Sequence, residues 1–291
     1  MKVCTFTSPG LALLAAMSLT VTLANGATNA PPVDTAALTA FMEKWSPYQA
    51  ANQPTNETDI PLLLAALIKD PSGPWYAYLA TQFAEGRYQL RGLPEPARQK
   101  VAVKSVPALK QADQSLAAAI QQGGTNAADL ASAQFMVRKS LSAVLLESGP
   151  AYLPDARALG QRMLSQRPAT NTWNYGNVIY HANQLLGQVA LREGKLVAAR
   201  DYLRKAGQAP GTPQLSSFGP DNRLAREMLH HGEPADVEAV LGYLDDIAHF
   251  WAHPPPNNAN AQRVSVDHLK QLDAWKELIR AGKIPDDPQW R

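Results

Sequence analysis

The sequence contains a single cysteine, Cys4, among its 291 residues. We expect Cys4 to be removed together with an N-terminal targeting segment, which leaves a chain without thiols. This composition excludes a disulfide, a cysteine nucleophile and a zinc–thiolate site from the remaining chain. Its stability must come from a packed core, and roughly 260 residues are enough to bury one.

An excess of charge of one sign is also missing. The 27 Lys and Arg residues nearly balance the 25 Asp and Glu residues, which gives a formal net charge of +2. Domains that bind nucleic acids or anionic membranes usually carry a marked excess of basic residues. The densest basic stretch, 98–110, has no interleaved aromatic residues, so we interpret it as a solvated helix face. The charge balance therefore predicts no nucleic-acid partner.

Long apolar runs are rare, and the longest lies near the N-terminus. Lys2 precedes the apolar run Leu11–Ala24, and small residues follow as far as Ala30. This order of a charged, an apolar and a small-residue region is typical of a secretory signal peptide. The run is shorter than the roughly 20 residues that a membrane-spanning helix needs. We expect residues 1–30 to be a cleaved signal peptide, and the protein to be periplasmic or secreted without a membrane span.

The signatures of several enzyme classes are absent. The sequence has no GxSxG nucleophile elbow, no Walker phosphate loop and no GxGxxG dinucleotide fingerprint. The adjacent carboxylates of Asp245 and Asp246 point to different sides of a predicted helix, so their spacing does not make them an acid–base pair. The sequence predicts no cofactor and gives no defined set of catalytic residues.

Patterns typical of β-strands are missing as well. Apolar and polar residues do not alternate, and no Asn-Gly or Asp-Gly hairpin turn follows residue 30. Short Gly and Pro turns separate segments with helical periodicity, which predicts an all-α fold of antiparallel helix hairpins. The predicted helices are 34–45, 60–69, 74–91, 108–122, 127–147, 153–166, 173–193, 196–207, 221–231, 234–252 and 264–281.

The segment Asn177–Pro210 has the pattern of one helix–turn–helix repeat. Small or apolar residues and a closing proline stand close to the spacing of a tetratricopeptide (TPR) repeat: Leu186, Gly187, Ala199, Leu203, Ala206 and Pro210. The small residues let two helices approach closely, and the proline ends the second helix. A degraded repeat is predicted before it, with Ala156, Met163 and Pro168 in the corresponding positions.

From Trp173 to about Pro285 the chain resembles a block of uncharacterised bacterial exported TPR-like proteins. The resemblance rests on TPQLSSFGPDNRLAREMLHHGEPADVEAVLGYLDDIAHFW and LDAWKELIRAGKIPD. It implies a TPR-like α-solenoid whose concave surface binds a peptide or protein, and it implies no activity. The predicted organisation is a signal peptide (1–30), an N-terminal helical region (31–125), TPR-like helical repeats (126–253), and a linker with a C-terminal capping helix (254–291).

The TPR analogy selects candidate binding residues on the first helix of the clear repeat. With Gly187 between the helices, a stripe of polar residues follows the helical period on the concave side: Asn177, His181, Gln184, Gln188 and Arg192. These side chains can form hydrogen bonds with a peptide backbone or a carboxylate. The solvated side of any amphipathic helix is an alternative interpretation, but such sides usually carry Lys and Glu. The stripe is the predicted peptide-binding groove.

Clustered aromatic residues leave a second function open, that of a cell-wall sugar-binding protein. Rings can stack on sugars or contact a peptide, and two clusters are present: Trp75, Tyr76 and Tyr78, and Trp173, Tyr175 and Tyr180. A core role is favoured, because Trp75, Leu79 and Phe83 lie on one apolar stripe. Trp251 and Trp275 continue similar stripes, so we predict that both are structural.

A metal-assisted hydrolase of the cell envelope is the third function considered. Asp245, His249 and His253 follow one another at intervals of four, and such a set on adjacent helical turns could bind zinc. The two histidines have the interval of HExxH, but the glutamate of that motif is missing. His253 also precedes a proline, where a helix is expected to end. We favour a non-catalytic protein that binds a protein or peptide partner.

Overall fold

The computed structural model describes residues 95–121, 127–170, 172, 174–252, 259–287 and 290. These residues form helices, turns and irregular segments and contain no strand. The predicted all-α fold class is therefore confirmed for this part of the chain. The expected signal peptide and the first three predicted helices lie outside it. Among the described helices, none has the length and apolar character needed to cross a membrane.

Nine α-helices follow one another in the described residues. They are α1 Glu95–Gln121, α2 Ala127–Glu147, α3 Leu153–Ser165, α4 Tyr175–Arg192, α5 Leu196–Gly207, α6 Pro213–Phe218, α7 Arg223–His231, α8 Pro234–Ile247 and α9 Ala259–Arg280. Short 3-10 helices at Pro150–Tyr152 and Ala248–Phe250 precede α3 and follow α8.

The chain divides into two compact units, Met1–Val144 and Leu145–Arg291. In the first unit, α1 carries an apolar stripe at helical spacing, with Ala102, Val106 and Leu109 buried. α1 begins thirteen residues before the predicted start at 108, because the helix continues through Pro107. A proline inside a helix removes one hydrogen bond but does not always end the helix.

A buried ion pair links α1 and α2 within the first unit. Arg138 Nε lies 2.6 Å from Asp113 Oδ1, and both side chains are almost fully buried. The Gln134 side chain also donates to Asp113 Oδ1, at 3.1 Å. The additional donor satisfies a second lone pair of the buried carboxylate, which is what a charge removed from water requires.

In the second unit, α4 and α5 form the predicted hairpin. Gly194 lies in the turn between them with a φ of 71°, a left-handed conformation that favours glycine. A Cβ on Gly187 would lie 3.3 Å from Tyr202 Cβ of α5 and 2.3 Å from Leu224 Cδ2 of α7. Gly187 therefore permits the close approach of α5, as predicted, and also the approach of α7.

Contacts along α4 and α7 show that these two helices run in the same direction. Gly187 packs against Leu224, and one turn further along both helices Arg192 pairs with Glu227. The residue numbers rise together along the two helices, so α4 and α7 are parallel.

α5 and α8 are also parallel. Arg200 Nε donates to Asp236 Oδ1 near the start of both helices, and Arg204 Nε donates to Asp246 Oδ2 further along, each at 2.6 Å. The hairpin α7–α8 thus stacks on the hairpin α4–α5, first helix on first helix and second on second.

α3 packs antiparallel against the other side of α4. A Cβ on Gly160 would lie 2.8 Å from Leu186 Cγ, and Arg157 of α3 pairs with Glu193 just after α4. The contact at Gly160 leaves no room for a larger residue, so a small residue is required where the two helices cross.

The core of the second unit lies between these helices and α9. Its largest fully buried side chains include Tyr180 of α4 and Tyr243 of α8. Trp251 and Trp275 belong to the same core, and their predicted structural role is confirmed. Trp251 Nε1 donates to the Ser216 carbonyl at 2.8 Å, which ties α6 to the end of α8.

Three local predictions were wrong. No helix was predicted between residues 207 and 221, but α6 lies there, and Thr212 caps it by accepting a hydrogen bond from the Leu215 N–H at 3.1 Å. α9 begins at Ala259, inside the predicted linker. α8 ends at Ile247 and continues as a 3-10 helix, which shifts the side chains that follow it.

Candidate functional site

The predicted polar stripe lies on α4, but it is not an open solvated face. Asn177, Gln184 and Gln188 are buried, whereas His181 is half-buried and Arg192 is exposed. Because α7 packs along the same side of α4, it covers the middle of the stripe. The expectation that all five residues are accessible was therefore wrong for the three amides.

Asn177 serves a structural role at the start of α4. Its Nδ2 donates to Asn174 Oδ1 and to Gln214 Oε1, both at 3.1 Å, and its Oδ1 accepts from the Thr212 hydroxyl at 2.6 Å. These bonds use both donors of the amide and one acceptor position. Asn177 thus holds the α5–α6 connection against α4. Its side chain keeps only one acceptor position that a ligand could use.

Gln184 belongs to a different network, which joins α4 to α7 and α8. Its Nε2 donates to the Tyr180 hydroxyl at 3.2 Å, and the Tyr180 and Tyr243 hydroxyls lie 2.9 Å apart. The Tyr243 hydroxyl donates to Asn222 Oδ1 at 3.0 Å, and the Tyr180 hydroxyl contacts the Asp221 carbonyl at 2.8 Å. The network therefore brings polar groups of α4 and α8 next to the two residues that precede α7.

Asp221 and Arg223 form the charged edge of this network. Arg223 Nε and Nη2 donate to Asp221 Oδ2 at 2.8 and 2.5 Å, and the Arg223 backbone N–H donates to Oδ1 at 3.0 Å. Desolvation raises the pKa of Asp221, but the attraction and hydrogen bonds of Arg223, with a smaller contribution from His181, outweigh it and lower the pKa to about 2. Asp221 is ionised at neutral pH.

Glu227 lies one turn beyond Arg223 on α7, opposite Arg192 of α4. Arg192 Nη2 is 3.8 Å from Glu227 Oε1, and Arg192 Nη1 donates to the Leu146 carbonyl. Burial raises the pKa of Glu227 above its ordinary value, although attraction to the two arginines opposes this increase. Glu227 is thus a carboxylate whose surroundings only partly compensate its charge.

We call this group of side chains the polar recess. Its accessible members are His181, Arg192, Asp221, Arg223 and Glu227, and its buried members are Tyr180, Gln184, Asn222 and Tyr243.

The accessible ion pairs are open to water on one side only. The four side chains of the Arg192–Glu227 and Asp221–Arg223 pairs keep between 32% and 35% of their surface exposed. Desolvation is nevertheless the largest influence on the pKa of both carboxyls. A side chain has both properties when protein surrounds it on most sides and solvent reaches it from one direction. These charged groups therefore remain within reach of a ligand.

Two amide atoms of the polar recess are buried without a hydrogen-bond partner in the described part of the chain. They are Gln184 Oε1, an acceptor, and Asn222 Nδ2, a donor. A buried polar atom without a partner costs about 1–3 kcal/mol. Such atoms are few in native proteins and usually mark a position where water or a ligand contributes the missing bond.

Two of the three residues considered as metal ligands, Asp245 and His249, lie in the described part of the chain, and both have other partners. Asp245 is exposed and pairs with Lys276 Nζ at 3.1 Å. Both ring nitrogens of His249 contact backbone carbonyls, those of Asp246 and Ala209, and His253 lies outside the described residues. His249 lies in the 3-10 helix that follows α8, not in the same α-helix as Asp245.

A different set, His231, Glu233 and Asp236, places its ligand atoms within 4.8 Å of one another. Arg200 already bonds both carboxylates, with Nε donating to Asp236 Oδ1 at 2.6 Å and Nη2 donating to Glu233 Oε2. The guanidinium supplies the positive charge that two neighbouring carboxylates require, so we interpret this set as an ion-pair cluster between α5 and α8.

Of the two aromatic clusters considered as a sugar-binding site, only Tyr175 and Tyr180 lie in the described part of the chain. Trp75, Tyr76, Tyr78 and Trp173 lie outside it. Tyr175 is half-buried, and Tyr180 is fully buried with its hydroxyl in the polar recess. Tyr180 therefore presents no ring face on which a sugar could stack.

The members of the polar recess that α7 and α8 supply were not predicted from the sequence. Arg223 and Glu227 stand four residues apart on one helix, a spacing that places them on the same face. That local signal was present, but nothing in the sequence indicated that this face meets α4. The contribution of Tyr243 depends on the stacking of two hairpins, which no local pattern shows.

Comparisons of the chain with protein-family models, with curated proteins and with solved structures find no match. The resemblance to exported TPR-like proteins therefore stays a prediction. Any functional conclusion depends on the geometry of the polar recess.

Proposed function

We propose that the protein is a non-catalytic, exported helical-repeat protein that binds a protein or peptide partner through the polar recess. In this proposal, α4–α5 and α7–α8 are successive hairpins of a TPR-like solenoid. The parallel packing of α4 on α7 and of α5 on α8 supports this arrangement, because repeated hairpins stack on one another in this way. The antiparallel contact of α3 with α4 is consistent with an earlier hairpin.

The position of the polar recess supports its role as the binding surface. In TPR-like proteins the first helices of the hairpins line the concave side, and here α4 and α7 supply all of its accessible members except Asp221, which directly precedes α7. The observation that carries the proposal is the group of two ion pairs on neighbouring helices whose four side chains each keep about a third of their surface open to solvent. A peptide offers the N–H, carbonyl and charged groups that such a surface can bond.

Affinity capture from a cell-envelope extract tests the proposal. The immobilised wild-type protein would be compared with the variant His181→Ala/Arg192→Ala, which removes two accessible members of the polar recess. A variant with two exposed cations of α9 removed, Lys270→Ala/Arg280→Ala, is the matched control.

We expect a partner, identified by mass spectrometry, that the wild type and the α9 variant retain and the polar-recess variant loses. Urea unfolding of all three proteins shows whether each is folded. A partner that all three folded proteins retain equally would place binding elsewhere and contradict the proposal.

A further inference from the structure

The two carboxylates of the polar recess have very different surroundings. Asp221 accepts hydrogen bonds from two guanidinium nitrogens, Nε and Nη2, and from the backbone N–H of Arg223. Glu227 receives no hydrogen bond from the described residues, and its nearest cationic nitrogen, Arg192 Nη2, is 3.8 Å away. That separation exceeds the range of an N–H···O hydrogen bond, which ends near 3.2 Å.

Glu227 therefore has unused hydrogen-bonding capacity. An ionised carboxylate offers about four lone-pair positions, and a carboxylate partly removed from water is stable only when donors occupy them. Burial raises the pKa of Glu227, and repulsion from Asp221 and Glu147 adds to the effect of burial, whereas Arg192 and Arg223 oppose it. An additional hydrogen-bond donor from a ligand would stabilise the ionised form of Glu227.

The charges near Glu227 indicate which kind of donor fits. Arg192 and Arg223 attract the Glu227 carboxylate, whereas Asp221 and Glu147 repel it. Arg223 is also committed to Asp221 in a two-bond ion pair. A ligand anion would meet a carboxylate that accepts no hydrogen bond from the described residues, whereas a ligand cation would complement it.

We propose that Glu227 binds a primary ammonium group of the peptide partner, either a lysine side chain or the peptide's N-terminus. This inference rests on the proposed function, since it assumes that the polar recess is the binding surface. The ammonium group donates to the Glu227 carboxylate on the side not faced by Arg192. Arg192 then remains available to a carbonyl or carboxylate of the same peptide.

Four capped or uncapped tripeptides test the inference. They are acetyl-Gly-Lys-Gly-amide, Gly-Gly-Gly-amide with a free N-terminus, the neutral acetyl-Gly-Gly-Gly-amide and the acidic acetyl-Gly-Glu-Gly-amide. Their dissociation constants would be measured by NMR titration of the whole protein at pH 7. A hydrogen bond to a charged group contributes enough to change affinity about tenfold to a hundredfold.

We expect the lysine peptide, the free N-terminal peptide or both to bind at least about tenfold more tightly than the neutral peptide. The first two peptides show which source of ammonium is preferred. Glu227→Gln should abolish the difference, while Glu238→Gln, which changes an exposed glutamate of α8, should leave it unchanged. Equal binding of all four peptides, tighter binding of the acidic peptide or an unaltered Glu227→Gln variant would overturn the inference.

A pH series supplies a test that needs no variant. A bound ammonium group stabilises the ionised form of Glu227, so binding releases a proton wherever free Glu227 is partly protonated. The affinity of the cationic peptide for the wild type should therefore rise as the pH rises through the titration of Glu227. An affinity that stays constant there would contradict the inference.

The capture experiment separates failure of this inference from failure of the proposed function. A natural partner lost by His181→Ala/Arg192→Ala but retained by Glu227→Gln would leave the polar recess as the binding surface and reject the ammonium contact. A partner retained by both variants would reject the proposed function itself.

Discussion

The ion pair between Asp221 and Arg223 makes a quantitative prediction about stability. The pKa of Asp221 falls from an ordinary value of 3.8 to about 2 in the folded protein, because Arg223 outweighs the cost of desolvation. One pKa unit corresponds to about 1.36 kcal/mol, so the shift has an upper limit of about 2.4 kcal/mol. Solvent reaches 32% of the Asp221 side chain, and the resulting screening reduces the expected contribution to about 1–2 kcal/mol.

The direction of the pH dependence follows from the lowered pKa. The contribution of Asp221 is fully present above the unfolded-state value of 3.8 and is lost as the pH falls towards about 2. Asp221→Asn keeps an oxygen that can accept the Arg223 backbone N–H but removes the charge. We expect the variant to lose about 1–2 kcal/mol of unfolding free energy at pH 7 and much less at pH 2.

Urea unfolding followed by tryptophan fluorescence is the assay, because Trp251 and Trp275 belong to the core of the second unit and report on its unfolding. Asp245→Asn is the matched control, since that carboxylate is 67% exposed and its pair with Lys276 should contribute little. If Asp221→Asn were equally destabilising at pH 7 and pH 2, the electrostatic explanation would be wrong.

The same unfolding assay tests three predictions about packing and hydrogen bonding. Gly176→Ala should destabilise the protein by about 1–3 kcal/mol, because the new Cβ would lie 1.9 Å from the Pro210 carbonyl oxygen; unchanged stability would contradict this contact. Thr212→Val removes the cap of α6 and should cost about 0.5–2 kcal/mol, whereas Thr212→Ser should restore most of the loss. Tyr243→Phe should cost about 1–3 kcal/mol because it leaves buried partners of the hydroxyl unpaired, and a neutral effect would show that the network is not formed.

The sequence predicted the helices best where periodicity and turn residues agreed. The range predicted for α5, 196–207, matches the structure at both ends, and a glycine marks the turn before it. α6 was missed because a helix of six residues is too short to show a period, although Thr212 and Pro213 form an N-terminal cap and first turn. Pro107 led to a late start for α1, because a proline can lie within a long helix despite its cost.

The candidate site could be predicted only in part. Helical spacing correctly placed His181, Gln184 and Arg192 on one helix, and the structure brings these three residues into the polar recess. No local pattern in the sequence indicates that α7 lies along α4, so the sequence predicts an accessible polar stripe. Asp221, Arg223 and Glu227 join the site through this packing, which depends on contacts between residues distant in sequence.

The most direct test of the central claim, that a partner binds in the polar recess, is site-specific photo-crosslinking. Because the sequence after Cys4 contains no cysteine, one introduced cysteine can carry the crosslinker at a single position. His181→Cys lies in the polar recess, and Glu238→Cys on exposed α8 is the control. With envelope extract, we predict that the label at position 181 forms a crosslink to one partner and that the label at position 238 does not. A crosslink formed at position 238 and not at position 181 would contradict the account.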